Sequence, residues 1–197
     1  NGLSYICLGE TIIILFAVKQ GSPDYCIAVL ASFLYLSNFC MPFGKMLAAR
    51  IGAAKSISLC WAMRNMSALL VASAPLWGWL IGPAAAIAAI MLGAFTFYSC
   101  RSAGVVGMQP LMGEITSAEN RGRFTSKSYG LFNLANLVML SLIIVLFNFS
   151  RETWVFVSVI VTGAAFGLAS TFFLSRIDES ESIIASAKKP VRDDVLL

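Results

Sequence analysis

Residues 98–127 read YSCRSAGVVGMQPLMGEITSAENRGRFTSK. From Pro83 up to Cys100 the chain carries no charge, so Arg101 breaks an otherwise apolar run. A guanidinium in hydrocarbon costs at least about 2.5–3.5 kcal/mol on insertion scales, and a chain keeps one there when it has a partner or a task. Gly104 and Gly107 follow, then Pro110 and Glu114. The stretch ends in a short polar loop with Arg121, Gly122 and Arg123. It therefore reads as the end of a membrane helix and the basic loop that terminates it.

The rest of the chain has the same character. Its 197 residues are 58% hydrophobic and 12% charged, with a mean hydropathy of +0.82. A soluble globular domain is about 25% charged. Residues 25–44, 65–100 and 128–150 carry no charge at all. Each run is long enough for the roughly 20 apolar residues of a membrane helix. The composition predicts an all-α polytopic membrane protein.

Six transmembrane spans follow, at about residues 3–18, 25–47, 56–79, 84–111, 128–149 and 154–174. Residues 1–177 are thus expected to form a transmembrane bundle. Residues 178–197, charged with both signs, read as a solvated polar linker. Ten of the 14 Lys and Arg residues fall on one side: Lys45, Arg50, Lys55, Arg121, Arg123, Lys127, Arg176, Lys188, Lys189 and Arg192. Lys19 and Arg151 fall on the other, while Arg64 and Arg101 lie within spans. By the positive-inside rule the rich side is cytoplasmic, which puts loops 47–55 and 112–127 and the tail inside. Trp79 and Trp154 then sit at outer helix ends, as interfacial aromatic residues do. A plasma (inner) membrane is the expected location.

The chain has no histidine, which removes Ser-His and Cys-His catalysis, His-ligated metal sites and haem ligation. Cys7, Cys26, Cys40, Cys60 and Cys100 lie in or beside apolar stretches at no metal-ligand spacing, and they read as small buried hydrophobes. Neither a cofactor nor a metal is expected, nor nucleic acid as a partner. The pairs Gly104/Gly107 and Gly163/Gly167 mark faces where helix backbones approach closely. Arg64 lies eight residues past Ser56, roughly 12 Å along a helix, and its stem is long enough to snorkel to the interface. A structural or latch role is expected for it. Asn38 and Pro42 read as a packing contact and a kink.

From Arg101 onward the sequence resembles the major facilitator superfamily of secondary transporters. The family's fourth helix carries an arginine and then glycines, followed by a cytoplasmic loop with an acid, often a proline, and Arg-Gly. Here these are Arg101, Gly104, Gly107, Pro110, Glu114, Arg121 and Gly122. A second match is KMLAARIGAAK, 45–55, where Leu47, Arg50, Gly52 and Lys55 fit the family's Gly-x-Leu-x-Asp-Arg-x-Gly-Arg-Arg-Lys loop. Lys45 stands for its first glycine, beside Gly44. Ala49 replaces its aspartate, and Ala53 and Ala54 replace two basic residues. The resemblance implies gating roles for Arg50, Gly52, Lys55, Glu114, Arg121 and Gly122, with Glu114 standing in for the missing acid. It also implies that the six spans form two inverted three-helix repeats. The chain would be the first half of a twelve-helix protein whose C-terminal six-helix half is its partner, in a lipid bilayer, around a small-molecule solute. The fifth-helix antiporter motif, Gly-x-x-x-Gly-Pro-x-x-Gly-Gly, is replaced by YGLFNLANLVML, which argues against a drug/proton antiporter.

Within that frame Glu10 is the acid at membrane depth. A carboxyl in hydrocarbon is either protonated or paired. The family's first and fourth helices line its cavity, so Glu10 and Arg101 are expected to share an aqueous path. Glu10 would load and release a proton, and Arg101 would bias that step or bind an anionic group; a structural ion pair is the plainer alternative. Tyr98, one turn before Arg101, either lines the cavity or packs. Asn133 and Asn136, at i and i+3 on one face, bond either a solute or a neighbouring helix. The expected function is secondary active transport by alternating access, possible as symport and proton-coupled, and not an enzyme activity. A channel, or an inert or scaffold-like transporter half, is the alternative.

Overall fold

The computed structural model describes residues 2–117 and 119–177, without the side chains of Glu114 and Ile115. The expected linker 178–197, with Lys188, Lys189 and Arg192, lies outside the described residues, as does the Glu114 carboxyl. The chain is all-helical, with no strand among the described residues. Its helices are α1 (Gly2–Cys7), α2 (Glu10–Lys19), α3 (Asp24–Leu36), α4 (Met41–Ile51), α5 (Ala53–Ala72), α6 (Ala74–Leu80), α7 (Pro83–Val105), α8 (Met108–Ile115), α9 (Arg121–Phe149) and α10 (Thr153–Leu174). Five stretches are long and apolar enough to cross a membrane: Gly2–Lys19, Asp24–Ile51, Pro83–Gly113, Arg121–Phe149 and Thr153–Leu174. The bent pair α5–α6 makes a sixth if it is one span. These stretches agree with the six read from composition to within a few residues, except at the start of the fifth, where α9 begins at Arg121.

Each of the first four stretches is interrupted, and the interruptions have local causes. Between α1 and α2, Gly9 adopts an extended conformation (φ −64°, ψ 155°). The Gly9 amide donates to the Ile6 carbonyl, and the ladder resumes only at Ile12 and Ile13, both donating to the Gly9 carbonyl. Between α3 and α4, Ser37–Cys40 tighten into a 3-10 turn ahead of Pro42, whose missing N–H cannot continue the α-helical ladder. Pro75 stands at the start of α6, where the axis turns by 42°. Ser73 Oγ donates to the Leu70 carbonyl at the same bend (2.7 Å) and accepts from Trp77 Nε1 (3.1 Å). Pro110 follows the turn between α7 and α8 and likewise lacks an amide for the preceding turn.

The helices α5 and α7 make the largest contact, and α5 also packs on α10. Glycines set the first of these approaches. Gly93 of α7 lies against Val71 and the Ser67 carbonyl, Gly104 against Trp61 and Cys60, and Gly107 against Ile57 and the Ala53 carbonyl. A Cβ at Gly93, Gly104 or Gly107 would come within 2.7–2.9 Å of these side chains. On α10, Gly163 faces Cys7 and Leu8, and Gly167 faces the Asn65 amide. Where α4 crosses α7, Gly44 lies on the Ala103 backbone so closely that any Cβ would overlap the carbonyl. Next to that crossing Ser37 and Ser102 share a buried hydroxyl–hydroxyl bond of 2.8 Å. On the far side, Ser58 Oγ donates to the Thr171 carbonyl of α10 at 3.0 Å.

The core formed in this way is centred on α1, α2, α5, α7 and α10. The helix α9 is peripheral, with 11% of its apolar window buried against 44% for α10. It packs chiefly on α1 and buries Met139 and Ile143. A second apolar cluster joins Ala53, Ala54, Ile57 and Leu111 with Trp61, Met108, Leu174 and Ile177. It brings the start of α5, the helix α8 and the end of α10 to one pole of the bundle. The basic loops at Arg50–Lys55 and around Arg121 are therefore at the same end.

Replacing Gly44 with Ala is expected to lower stability by roughly 1–3 kcal/mol, the usual cost of overpacking. Gly130, on α9, has open space where its Cβ would be, so Gly130→Ala should leave stability unchanged or slightly higher. Thermal unfolding of both variants in nanodiscs is the comparison; equal loss in the two would refute the close α4–α7 approach.

Candidate functional site

A cavity of about 380 Å³ opens at the interruption of the first stretch. Its wall includes Ser4, Tyr5, Glu10 and Thr11 from α1 and α2, Arg64 from α5, and Phe97 and Arg101 from α7. Leu34 of α3 and Leu140 of α9 close its sides. Glu10 and Arg101, 91 positions apart in sequence, thus share one cavity. Both are half-buried.

Arg64 is the third charge of this cavity, contrary to its expected snorkelling. It is 5% exposed and lies over two aromatic rings, with its guanidinium carbon 5.4 Å from the Trp61 centroid and 5.5 Å from that of Phe97. Its Nη2 donates to Asn65 Oδ1 at 3.1 Å and, more weakly, to Ser4 Oγ at 3.4 Å. Its Nε is sealed from solvent with no acceptor, and so is Asn65 Nδ2. Arg64 and Arg101 are close enough for their charges to repel. Arg101 lies over the Tyr5 ring, 5.3 Å from its centroid, and its N–H groups meet no acceptor among the described residues. Neither guanidinium is paired with an acid there, so the plainer alternative, a structural Glu10–Arg101 ion pair, is not formed among the described residues.

The backbone at the break has open donors as well. The Glu10 and Thr11 amides belong to the first turn of α2 and fall outside the hydrogen bonds that bridge Gly9. First-turn amides of a helix have no intrahelical acceptor. Two cations and one carboxylate therefore line one cavity, beside the first turn of α2.

Tyr98 belongs to the core, 2% exposed, with its ring at right angles to Phe97 at 5.2 Å and its hydroxyl without a partner. It does not line the cavity, although Phe97 and Arg101 of the same helix do. Asn133 and Asn136 line neither this cavity nor the one between α1, α9 and α10. Asn133 is exposed, and Asn136 holds its Oδ1 buried without a donor.

The residues expected to gate lie at the basic pole, away from the cavity. Arg50 and Lys55 are exposed there. Gly52 joins α4 to α5 at φ 93°, a left-handed conformation that favours glycine. Arg121 Nη2 donates to the Gly113 carbonyl and its Nε to Thr116 Oγ1, both at 3.3 Å. It thereby satisfies one carbonyl and one hydroxyl at the end of α8, a role that needs no second domain. Gly122 has open space around it and an ordinary φ, so nothing in the described residues demands glycine there.

The chain matches no family model, no curated protein and no solved structure. The site is defined by its geometry alone. Arg64, Asn65, Ser4 and Tyr5 were not among the expected site residues. The Arg64-Asn65 dipeptide, polar inside an apolar stretch, is the signal that could have found two of them.

Replacing Asn65 with Ala removes the best acceptor of the Arg64 guanidinium. A charge-assisted bond of this kind contributes about 1.5–3 kcal/mol, and a loss of that order in unfolding free energy is expected. An unchanged stability would mean that Asn65 does not hold Arg64.

Proposed function

We propose that this chain is the first half of a secondary transporter of the major facilitator type, moving a small solute by alternating access. The observation that carries the reading is the cavity between the first and fourth stretches, with Glu10, Arg64 and Arg101 on its wall at membrane depth. Ionisable residues inside a membrane bundle mark solute and proton paths more often than they serve packing. An interrupted first stretch supports it too, since transporters commonly place binding sites where a membrane helix is broken.

The packing pattern supports two inverted three-helix repeats. Exchanging stretches one, two and three for four, five and six maps most of the contacts onto one another. The first packs on the fifth and sixth, as the fourth packs on the second and third. The contact of two with three answers to that of five with six, and the contact of three with six maps onto itself. The α2–α3 contact has no counterpart of like size. The basic pole would be cytoplasmic, in a plasma (inner) membrane, with the exposed faces of the second and fifth stretches available to the C-terminal half.

Glu10 is the proton carrier in this proposal. It is half-buried, lines the cavity at the start of α2 and makes no ion pair among the described residues. Arg101 and Arg64 bias that exchange through their charge.

Uptake by the full-length protein in proteoliposomes, over a panel of small solutes with and without a proton gradient, tests the reading. At least one solute should accumulate when the gradient is imposed. In Glu10→Gln, gradient-driven uptake should fall at least about tenfold while solute exchange persists. Full rate with full pH dependence in that variant would remove Glu10 from coupling.

A further inference from the structure

We propose that the cavity binds a small organic monocarboxylate with an apolar body, its carboxylate held between Arg101 and Arg64. This deepens the transporter reading and rests on it for the premise that the occupant is carried solute. Charge is the first argument. Two guanidiniums and one carboxylate leave the cavity one positive charge in excess when Glu10 is ionised, and no other lining residue is an acid or a lysine. A single negative charge on the ligand balances it, and it also relieves the repulsion between Arg64 and Arg101.

Donor geometry is the second argument. The guanidinium carbon of Arg64 lies over the Trp61 and Phe97 rings, and that of Arg101 over the Tyr5 ring. The N–H fork of a guanidinium matches a carboxylate in plane. Arg101 gives none of these donors to the protein among the described residues, and Arg64 commits Nη2 alone. Arg64 also lines the cavity and is nearly fully buried, although its Nε and the neighbouring Asn65 Nδ2 are sealed away from the open space. The open Glu10 and Thr11 amides add donors at the start of α2, where a helix favours negative charge.

The wall selects the body of the ligand. Ile6, Leu8, Ile12, Leu34, Phe97 and Leu140 surround the charged patch. An inorganic oxyanion would lose its hydration to this surface without compensation. A carboxylate carrying an aromatic ring or a short alkyl chain buries that part instead. The volume, about 380 Å³, suits a ligand at the small end of the usual range of about 300–1,000 Å³.

The test is ligand-induced thermal stabilisation of the full-length protein in nanodiscs. The probes are benzoate and hexanoate, against benzamide, hexanamide and inorganic phosphate. The two carboxylates should raise the unfolding temperature; the amides and phosphate should not. Arg101→Gln should weaken carboxylate binding at least about tenfold, with Arg101→Lys intermediate. Arg101 makes no hydrogen bond within the described residues, so its variants are the ones expected to keep the fold. Arg64→Lys gives a second reading of the same site. Equal stabilisation by the amides, stabilisation by phosphate alone, no response to either carboxylate, or undiminished carboxylate binding in folded Arg101→Gln would each overturn the proposal. Arg101-dependent binding in a protein that accumulates no solute would overturn the transporter reading and leave the carboxylate site standing. Accumulation of a neutral or cationic solute, unchanged in Arg101→Gln, would do the reverse.

Discussion

A guanidinium buried among apolar helices without an acid constrains everything around it. Arg64 is held by two aromatic faces, an amide oxygen and a hydroxyl, and each comes from a different constraint on the chain. Asn65 reaches its position because Gly167 of α10 has no side chain to displace it. Ser4 is in place because α1 stops short and turns at Gly9. Phe97 faces Arg64 because Gly93 and Gly104, on either side of it along α7, let that helix sit close on α5. Packing and polar chemistry are thus one problem here. Small residues bring backbones together, and that closeness gives a buried cation enough partial charges to be tolerated.

The membrane stretches were legible because length and hydropathy suffice to define them. Their interruptions were only partly so. Pro42 announces its own break, since proline removes an amide whatever surrounds it. The break at Gly9 does not, because glycine inside an apolar run is compatible with a straight helix, and only Cys7 and Leu8 packing on Gly163 explain the turn's setting. Gly104 and Gly163 could be read as contact residues for the opposite reason: a close approach between membrane helices requires small side chains, and the sequence records them directly.

The site divides in the same way. Arg101 and Glu10 stand out because each is a lone charge within an apolar run. Arg64 is equally conspicuous, but its distance from the helix end favoured an interfacial position. The side of α5 it takes depends on which neighbours that helix has, and these come from α1, α7 and α10. Asn133 and Asn136 illustrate the same limit. Their spacing puts them on one face of α9, while the partner of that face is set by packing. Arg121 has a local occupation, closing α8, that motif reading alone does not reveal.

The first stretch is held from far along the chain. α1 packs on α9 and α10, and its Leu8 rests on Gly163. The contacts that finish it span more than 150 residues of chain, from Leu8 to Gly163. Closing so long a loop costs chain entropy that only the finished packing repays. The wall of the cavity is supplied by α1, α2, α3, α5 and α7, with Leu140 of α9 at its edge, so the far contacts of α1 fix the position of a site that they barely line.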